Sequence, residues 1–501
     1  MAREGAARAF DVAVVGAGIG GLAVGALLAR AGRSVVLLER SGEVGGACRP
    51  IVQDGYQFDV GTTLLIGAGA QGALATLLER LGIDLPRAAS DPILQVALPR
   101  HRLTFSCDSE HWWTELRREV PEDEAGWRLL LAELASLASD RDQVIRTLLP
   151  LPPESWRGRL RLWRGLAGQY LSTATRQAVG RLRKAEGIPF RLTLAKAGLG
   201  AVSRQLLEAC LWYLALRGAD ECSTMEAALA LNCLSEGATE IPGGPMALAN
   251  ALVERFRRDG GEVRLGTEIG ACLVERGRVC GVVTTAGESI RARLVVSDVP
   301  PPILTQGILS KRRGWFVRDR TVEESWRPLV TAQAMALVVP EAFLPSELGR
   351  HCLVVRDAGR PATGENLAFV HLAPRRAKGE GPEGPRCLSV GRFVPTSIPV
   401  ETESAARALH SAVDQIAPGL EHVAAYRAVF SSAILGEFLG RPLASVRYGP
   451  DFRAWLGGRG VSHHTSWPGL LAVGEWTYPG RLISHVVEGA IEVSETIAML
   501  R

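Results

Sequence analysis

Residues 11 to 39 read Asp-Val-Ala-Val-Val, then Gly16-Ala-Gly18-Ile-Gly20-Gly21, then an apolar decamer, then Ser34-Val-Val-Leu-Leu38 and Glu39. The first and last apolar runs are short enough to be buried strands. The decamer between them, Leu22 to Ala31, has the length and composition of a buried helix, and Gly32 ends it. The order predicts a βαβ unit with G-x-G-x-x-G at its first turn. Each glycine has a reason. Gly16 permits the tight turn, Gly18 lets backbone approach a pyrophosphate, and Gly21 lets helix and strand pack closely. The helix N-terminus offers free N–H groups and a positive dipole end to phosphate oxygens. Glu39 lies 18 residues after Gly21, where a carboxylate can accept hydrogen bonds from a ribose. A plain βαβ turn needs no such acid, so the pattern predicts a dinucleotide site.

Downstream, Glu39-Arg40 is followed by Gly45-Gly46 and Cys48, then by Phe58-Asp59-Val-Gly61-Thr62-Thr63. Here the chain resembles the flavoprotein superfamily that contains amine oxidases, phytoene desaturases, carotenoid isomerases and retinol saturases. Two later segments carry the same resemblance. One is Ile241-Pro-Gly243-Gly244, a helix to about Arg258, the strand Glu262–Leu265, Ile269, a hairpin through Gly277 and the strand Leu294–Asp298. The other is Gly469 to Gly474-Glu475-Trp476-Thr-Tyr478, then Arg481-Leu-Ile483-Ser-His485 and a final helix. The three segments cover roughly half of the chain.

The resemblance implies an α/β fold. A Rossmann-type FAD-binding domain would be assembled from residues 1–85, 221–300 and 446–501. A mixed-sheet and helical substrate domain would be inserted as a helical, basic segment 86–220 and a sheet segment 301–445. It implies non-covalent FAD on Gly16, Gly18, Gly20, Gly21, Glu39, Arg40, Gly45, Gly46, Thr62 and Thr63. Ile269 would meet the adenine, Gly474 and Glu475 the ribityl chain, and Ile483 the flavin end. The acid at position 475 is usually Asp in relatives; Glu is one methylene longer. Gly198-Leu-Gly200 lacks a preceding strand and a terminal acid, so it predicts no second nucleotide domain.

Composition narrows the class. The net charge is +4, which does not suggest a nucleic-acid binder. Nine cysteines form no Cys-x-x-Cys pair, and no His cluster joins them. A structural zinc or a disulfide framework is therefore not expected, and a reducing cytoplasm fits. No apolar run reaches the ~20 residues of a membrane span. The opening Met-Ala-Arg-Glu-Gly has no apolar core of a signal peptide. The small net charge hides a patch: residues 150–217 hold twelve basic and three acidic residues. Within it, Leu160, Trp163, Ala167, Tyr170 and Leu171 share a helical stripe flanked by Arg157, Arg161 and Arg164. That pattern predicts peripheral contact with an anionic membrane through residues 156–184. A solvated basic face is the alternative.

Flavin would carry the redox step. The resemblance implies an oxidoreductase acting on carbon–carbon bonds of an apolar, isoprenoid- or carotenoid-like substrate, by desaturation, isomerisation or saturation. An amine oxidase with an aromatic cage from Trp476 and Tyr478 is a second reading, and a flavin-binding protein without turnover a third. His485 and Tyr478 are the catalytic candidates; His463 and His464 flank the same segment. The Trp112-Trp113 pair is expected to pack rather than to stack on substrate. No metal ligands are expected, and the oligomeric state stays open.

Overall fold

A computed structural model describes residues 9–69, 72–145, 173–300, 303, 327–374, 384–398, 402–449 and 454–499. The fingerprint strand Phe10–Val15 is central in a seven-stranded sheet. It pairs in parallel with Val35–Leu38 on one side, Val12 opposite Val35, and with Ser289–Ser297 on the other, Val12 opposite Leu294. Glu262–Arg264 extends one edge in parallel. The hairpin Ile269–Glu275 and Arg278–Thr284 extends the other, antiparallel to the first half of Ser289–Ser297. Leu470–Ala472 pairs in parallel with the second half of that strand. Strands buried on both faces read as continuous apolar runs, and residues 12–15, Val35–Leu38 and Leu470–Ala472 do.

Three helices cover one face: Ile19–Arg30, Pro245–Arg258 and Ile483–Met499. The first packs against the other two. The Phe256 ring lies against the first helix at Gly25, and a Cβ on Gly261 would collide with that ring at 2.1 Å. Leu22, Leu37, Leu248, Phe256, Val296, Val487 and Ala490 share one core here. A smaller core on the opposite face holds Ala13, Val36, Ile269, Val282 and Leu470.

A second, eight-stranded sheet is built around Arg327–Pro340, flanked by Pro385–Pro395 on one side and by Tyr426–Phe430 and Ser445–Gly449 on the other. Leu367–Leu372 and His351–Val355 continue it. The hairpin Leu94–Ala97 and Arg102–Phe105 closes it, because Gln95 to Ala97 pair in parallel with Cys352 to Val354. The helix Thr402–Ile416 covers its outer face. The helices Glu124–Ile145, Thr173–Glu186, Ala201–Ala215 and Thr224–Ser235 pack together beside its inner face.

Two boundaries therefore move from those expected. Residues 445–449 hydrogen-bond into the second sheet, so the nucleotide domain resumes beyond position 446. The Thr224–Ser235 helix buries its apolar face in the helical layer, so that layer extends past 220. The expected membrane stripe at 156–171 lies outside the described residues. Of the basic segment, Thr173–Glu186 is described: Ala178, Leu182 and Ala185 are buried, and Arg181 is held by Asp140 at 2.6 Å. No helix among the described residues is long and apolar enough to cross a membrane.

Candidate active site

The first βαβ turn forms the floor of a cleft of about 1250 Å³. Gly16 takes φ +100°, and a Cβ on Gly21 would collide with the Gly16 carbonyl. Gly18, Gly20, Gly45 and Gly46 line the same floor. Gly45 N–H donates to the Ala17 carbonyl at 2.8 Å, and a Cβ on Gly46 would stand 3.1 Å from Gly18 Cα. Two glycine turns are thus clasped together, with backbone where side chains would otherwise fill the space.

Glu39 closes one end. It accepts from Ala17 N–H at 2.8 Å, and from the Ser41 N–H and hydroxyl at 2.9 and 2.8 Å. A carboxylate has about four lone-pair positions, so acceptor capacity remains for two hydroxyls. Arg40, Thr62 and Ile269 line the same cleft. Gly474 (φ +106°), Glu475, Trp476 and Ile483 line it too. Glu475 is fixed by Arg441 at 2.7 Å. Thr63 turns away: its hydroxyl lies 3.5 Å from that of Tyr213, and it lines a small separate pocket with His351 and His371.

Sequence reasoning missed one residue at the centre. Asp298 follows the Ser289–Ser297 strand, and its Oδ2 accepts the Gly21 N–H at 3.0 Å. Its carboxyl stands over Gly18 and Gly20, at the first helix's N-terminus. Burial, then the negative charges of Glu475 and Glu39, push its pKa up to about 8, against the Gly21 hydrogen bond and Arg441. The signal was an acid ending a strand, but only the pairing with Phe10–Val15 puts that strand end beside the glycines.

A second cavity of about 890 Å³ meets the cleft along Glu475, Trp476 and Arg481. Its wall is mainly apolar, with Leu214, Leu216, Leu229, Val446 and Leu482. His485 lines it, with Nε2 4.0 Å from Cys233 Sγ. Burial and the charges of Arg141 and Arg481 push the His485 imidazole down to about 3, so it is neutral at ordinary pH. Tyr478 is not among the lining residues. Its ring is buried behind the wall, near Arg141, with its hydroxyl pushed up to about 12 mainly by burial. Trp476 contacts Tyr448 edge-on at 4.9 Å.

His463 Nδ1 lies 2.9 Å from the Ala472 carbonyl, and burial pushes it down to about 4. His464 is half-buried beside it. Trp112 stacks on Phe105 at 4.5 Å and meets Trp127 edge-on. Gly200 N–H is taken by the Asp123 carboxylate at 2.9 Å, so that helix N-terminus is already occupied by protein. Cys48 lines the cleft, but burial pushes its thiol up to about 12, which makes it a poor nucleophile near neutrality. No metal-ligand cluster occurs among the described residues.

The cleft's glycine floor, ribose-side acid and helix N-terminus fit a flavin dinucleotide, and the family profile of "flavin containing amine oxidoreductase" matches residues 19–384. The chain belongs to that family. Its cofactor is FAD. The family member is 26% identical over 289 residues to the neurosporene-forming phytoene desaturase of Cereibacter sphaeroides, covering 57% of this chain and 52% of that one. It is 24% identical over 308 residues to the all-trans-retinol 13,14-reductase of Danio rerio, covering 58% and 47%. The chain spans about half the length of these curated relatives. With the chloroplastic prolycopene isomerase of Arabidopsis thaliana it shares 21% identity over 99% of this chain and 84% of that one. Among solved structures, an oxidoreductase from Methanosarcina mazei superposes with TM-score 0.66 at 18% identity, covering 97% and 99%. A putrescine oxidase bound to putrescine gives 0.63 at 14% identity, covering 98% and 99%. At these identities the superpositions establish the fold.

Proposed function

We propose that this flavoprotein is an oxidoreductase acting on carbon–carbon bonds of an apolar, isoprenoid-like substrate, as a desaturase, isomerase or saturase. One observation carries the reading: the apolar cavity shares Glu475, Trp476 and Arg481 with the cleft, so a molecule held in it lies beside the cofactor site. In this reading Gly16 to Gly21 face the pyrophosphate, and Glu39 accepts from the adenosine ribose. Ile269 packs on the adenine, Glu475 accepts from the ribityl hydroxyls, and the N-terminus of Ile483–Met499 faces the flavin pyrimidine. Bound FAD supplies hydride acceptance or donation. The chain's part is to align an apolar chain along the Leu214 to Leu229 wall and keep water from the reacting carbons. His485 stands in that wall as a neutral acceptor, too weak a base to hold a proton near neutrality.

Two features weigh against an amine substrate. The Trp476 and Tyr448 rings touch at 68° rather than facing across a gap, so they form no slot for an amine. The cavity is also lined by four arginines and two glutamates, a balance that repels an ammonium group. The test is anaerobic mixing of oxidised holoprotein with polyene hydrocarbons, alcohols and acids in liposomes. Bleaching of the visible flavin band identifies desaturation. Product formed only with prereduced flavin identifies saturation or isomerisation, separated by the mass of the product. Bleaching by primary amines alone would overturn the reading.

A further inference from the structure

The arginines around the cavity are not equally answered by carboxylates. Arg459 is held by Glu226, with one contact at 3.0 Å. Arg447 and Arg217 share Glu221 at 2.9 and 3.8 Å. Arg441 takes Glu475 at 2.7 Å. Arg481 has no carboxylate within ion-pair distance among the described residues. One of its terminal nitrogens donates to the Tyr213 carbonyl at 3.1 Å, and its guanidinium lies over the Phe393 ring at 5.2 Å. Its Nε is buried without a hydrogen-bond partner. Arg481 also has a special place: it lines both the cavity and the nucleotide cleft.

A guanidinium in an apolar wall is costly unless an anion answers it. Its planar fork of donors matches a carboxylate, which it can grip through two parallel hydrogen bonds. A hydrocarbon offers the guanidinium no acceptor on the cavity side. An alcohol offers one weak acceptor. Burial lowers the Arg481 pKa despite the nearby Glu475, which fits a charge short of compensation in the protein alone.

We propose that the substrate is an apolar chain ending in a carboxylate, and that Arg481 holds that carboxylate where the cavity meets the cleft. This rests on the reading that the cavity receives the substrate. It sharpens that reading from an apolar molecule to an apolar acid and makes Arg481 the residue that selects the acid.

The experiment compares all-trans-retinoic acid with all-trans-retinol, which share a carbon skeleton and differ at the end group. Binding to the holoprotein is followed through the flavin absorbance and the quenching of intrinsic tryptophan fluorescence. The acid is expected to bind at least ~10-fold more tightly, the scale of one charge-assisted hydrogen bond. Arg481→Met removes that preference while retinol binding persists; Arg481→Lys keeps part of it. A second measurement needs no variant: the preference of the natural protein disappears as the ligand's own carboxyl becomes protonated at low pH. Equal affinity for acid and alcohol at neutral pH, or a preference that survives in Arg481→Met, overturns the proposal and leaves the apolar-substrate reading standing. Binding of neither molecule overturns both.

Discussion

Asp298 makes FAD affinity depend on pH in a calculable way. Its carboxyl occupies the helix N-terminus over Gly18 and Gly20, where the glycine floor invites a pyrophosphate. A charged Asp298 would face that pyrophosphate in a site already holding Glu39 and Glu475. Burial and those two acids keep the carboxyl protonated up to about pH 8. The dinucleotide adds negative charge, so the carboxyl is protonated more firmly in the complex than in the empty protein. Binding then selects the protonated form and takes up one proton wherever the empty protein has lost it. Below about pH 8 the affinity is flat. Above it, Kd rises by about tenfold per pH unit, or ~1.4 kcal/mol. At about pH 9 the natural protein binds FAD ~10-fold more weakly than at about pH 7. Asp298→Asn carries no titrating charge, so its Kd is level over the same range and lower than the natural protein's at about pH 9. Quenching of FAD fluorescence on titration with apoprotein measures both. A level Kd for the natural protein, or a slope that persists in Asp298→Asn, would refute the reasoning.

Gly21→Ala drives a methyl into the Gly16 carbonyl, so the purified protein should lack its yellow colour while circular dichroism still reports helix and strand. Glu39→Ala frees the Ala17 and Ser41 donors; a loss of ~1–3 kcal/mol in FAD binding is expected by calorimetry, and an unchanged Kd would mean the acid is not at the cofactor. Trp127 is fully buried and donates to Ser203 at 2.8 Å, so Trp127→Ala should cost about 3–5 kcal/mol in urea unfolding. His463 and His485 are buried with pKa values lowered to about 4 and 3. The unfolded chain therefore binds protons that the native one refuses. Stability should fall as pH drops below about 6.5, by up to ~1.4 kcal/mol per pH unit for each group, and a thermal midpoint constant from about pH 7 to 5 would contradict this.

What could be read from the sequence was what local pattern determines. The strand ending at Val15, the helix ending at Arg258 and the hairpin turning near Gly277 came from apolar period and glycine placement. Gly16, Gly18, Gly20, Glu39, Arg40, Gly45, Gly46, Thr62, Ile269, Gly474, Glu475 and Ile483 all line one cleft because each belongs to such a segment. Thr63 does not, since consecutive residues in extended chain point to opposite sides. Alternation would put Trp476 and Tyr478 on one side; the turns at 475–476 and 478–479 separate them, sending Trp476 into the cavity and leaving Tyr478 behind it. Parallel pairing of Leu94–Ala97 with His351–Val355 joins segments about 250 residues apart, and nothing in either segment announces the other. Asp298, Arg441 and Arg481 were hidden for the same reason: each acts through a partner supplied by a distant element.

Those hidden residues set how charge is balanced in the two spaces. Along the cleft Glu39, Glu268, Asp298 and Glu475 are matched by Arg40, Arg49, Arg441 and Arg481, with Asp298 kept neutral by burial and by Glu475 and Glu39. Arg217, Arg447, Arg459 and Arg481 lie around the cavity. Glu475 and Arg481 stand where the two spaces meet, with Arg441 drawing the Glu475 charge to itself. Oriented charges in a site shielded from water act on any charge that develops there, and they need no reorganisation to do so. At this boundary the arrangement favours negative charge on the cavity side. An ammonium substrate would enter against it. An anionic end group, or electron density building on a substrate carbon as a proton leaves, would be stabilised by it. The cavity's apolar wall sets which molecules can enter, and its uneven set of ion pairs sets which of them can be held in place.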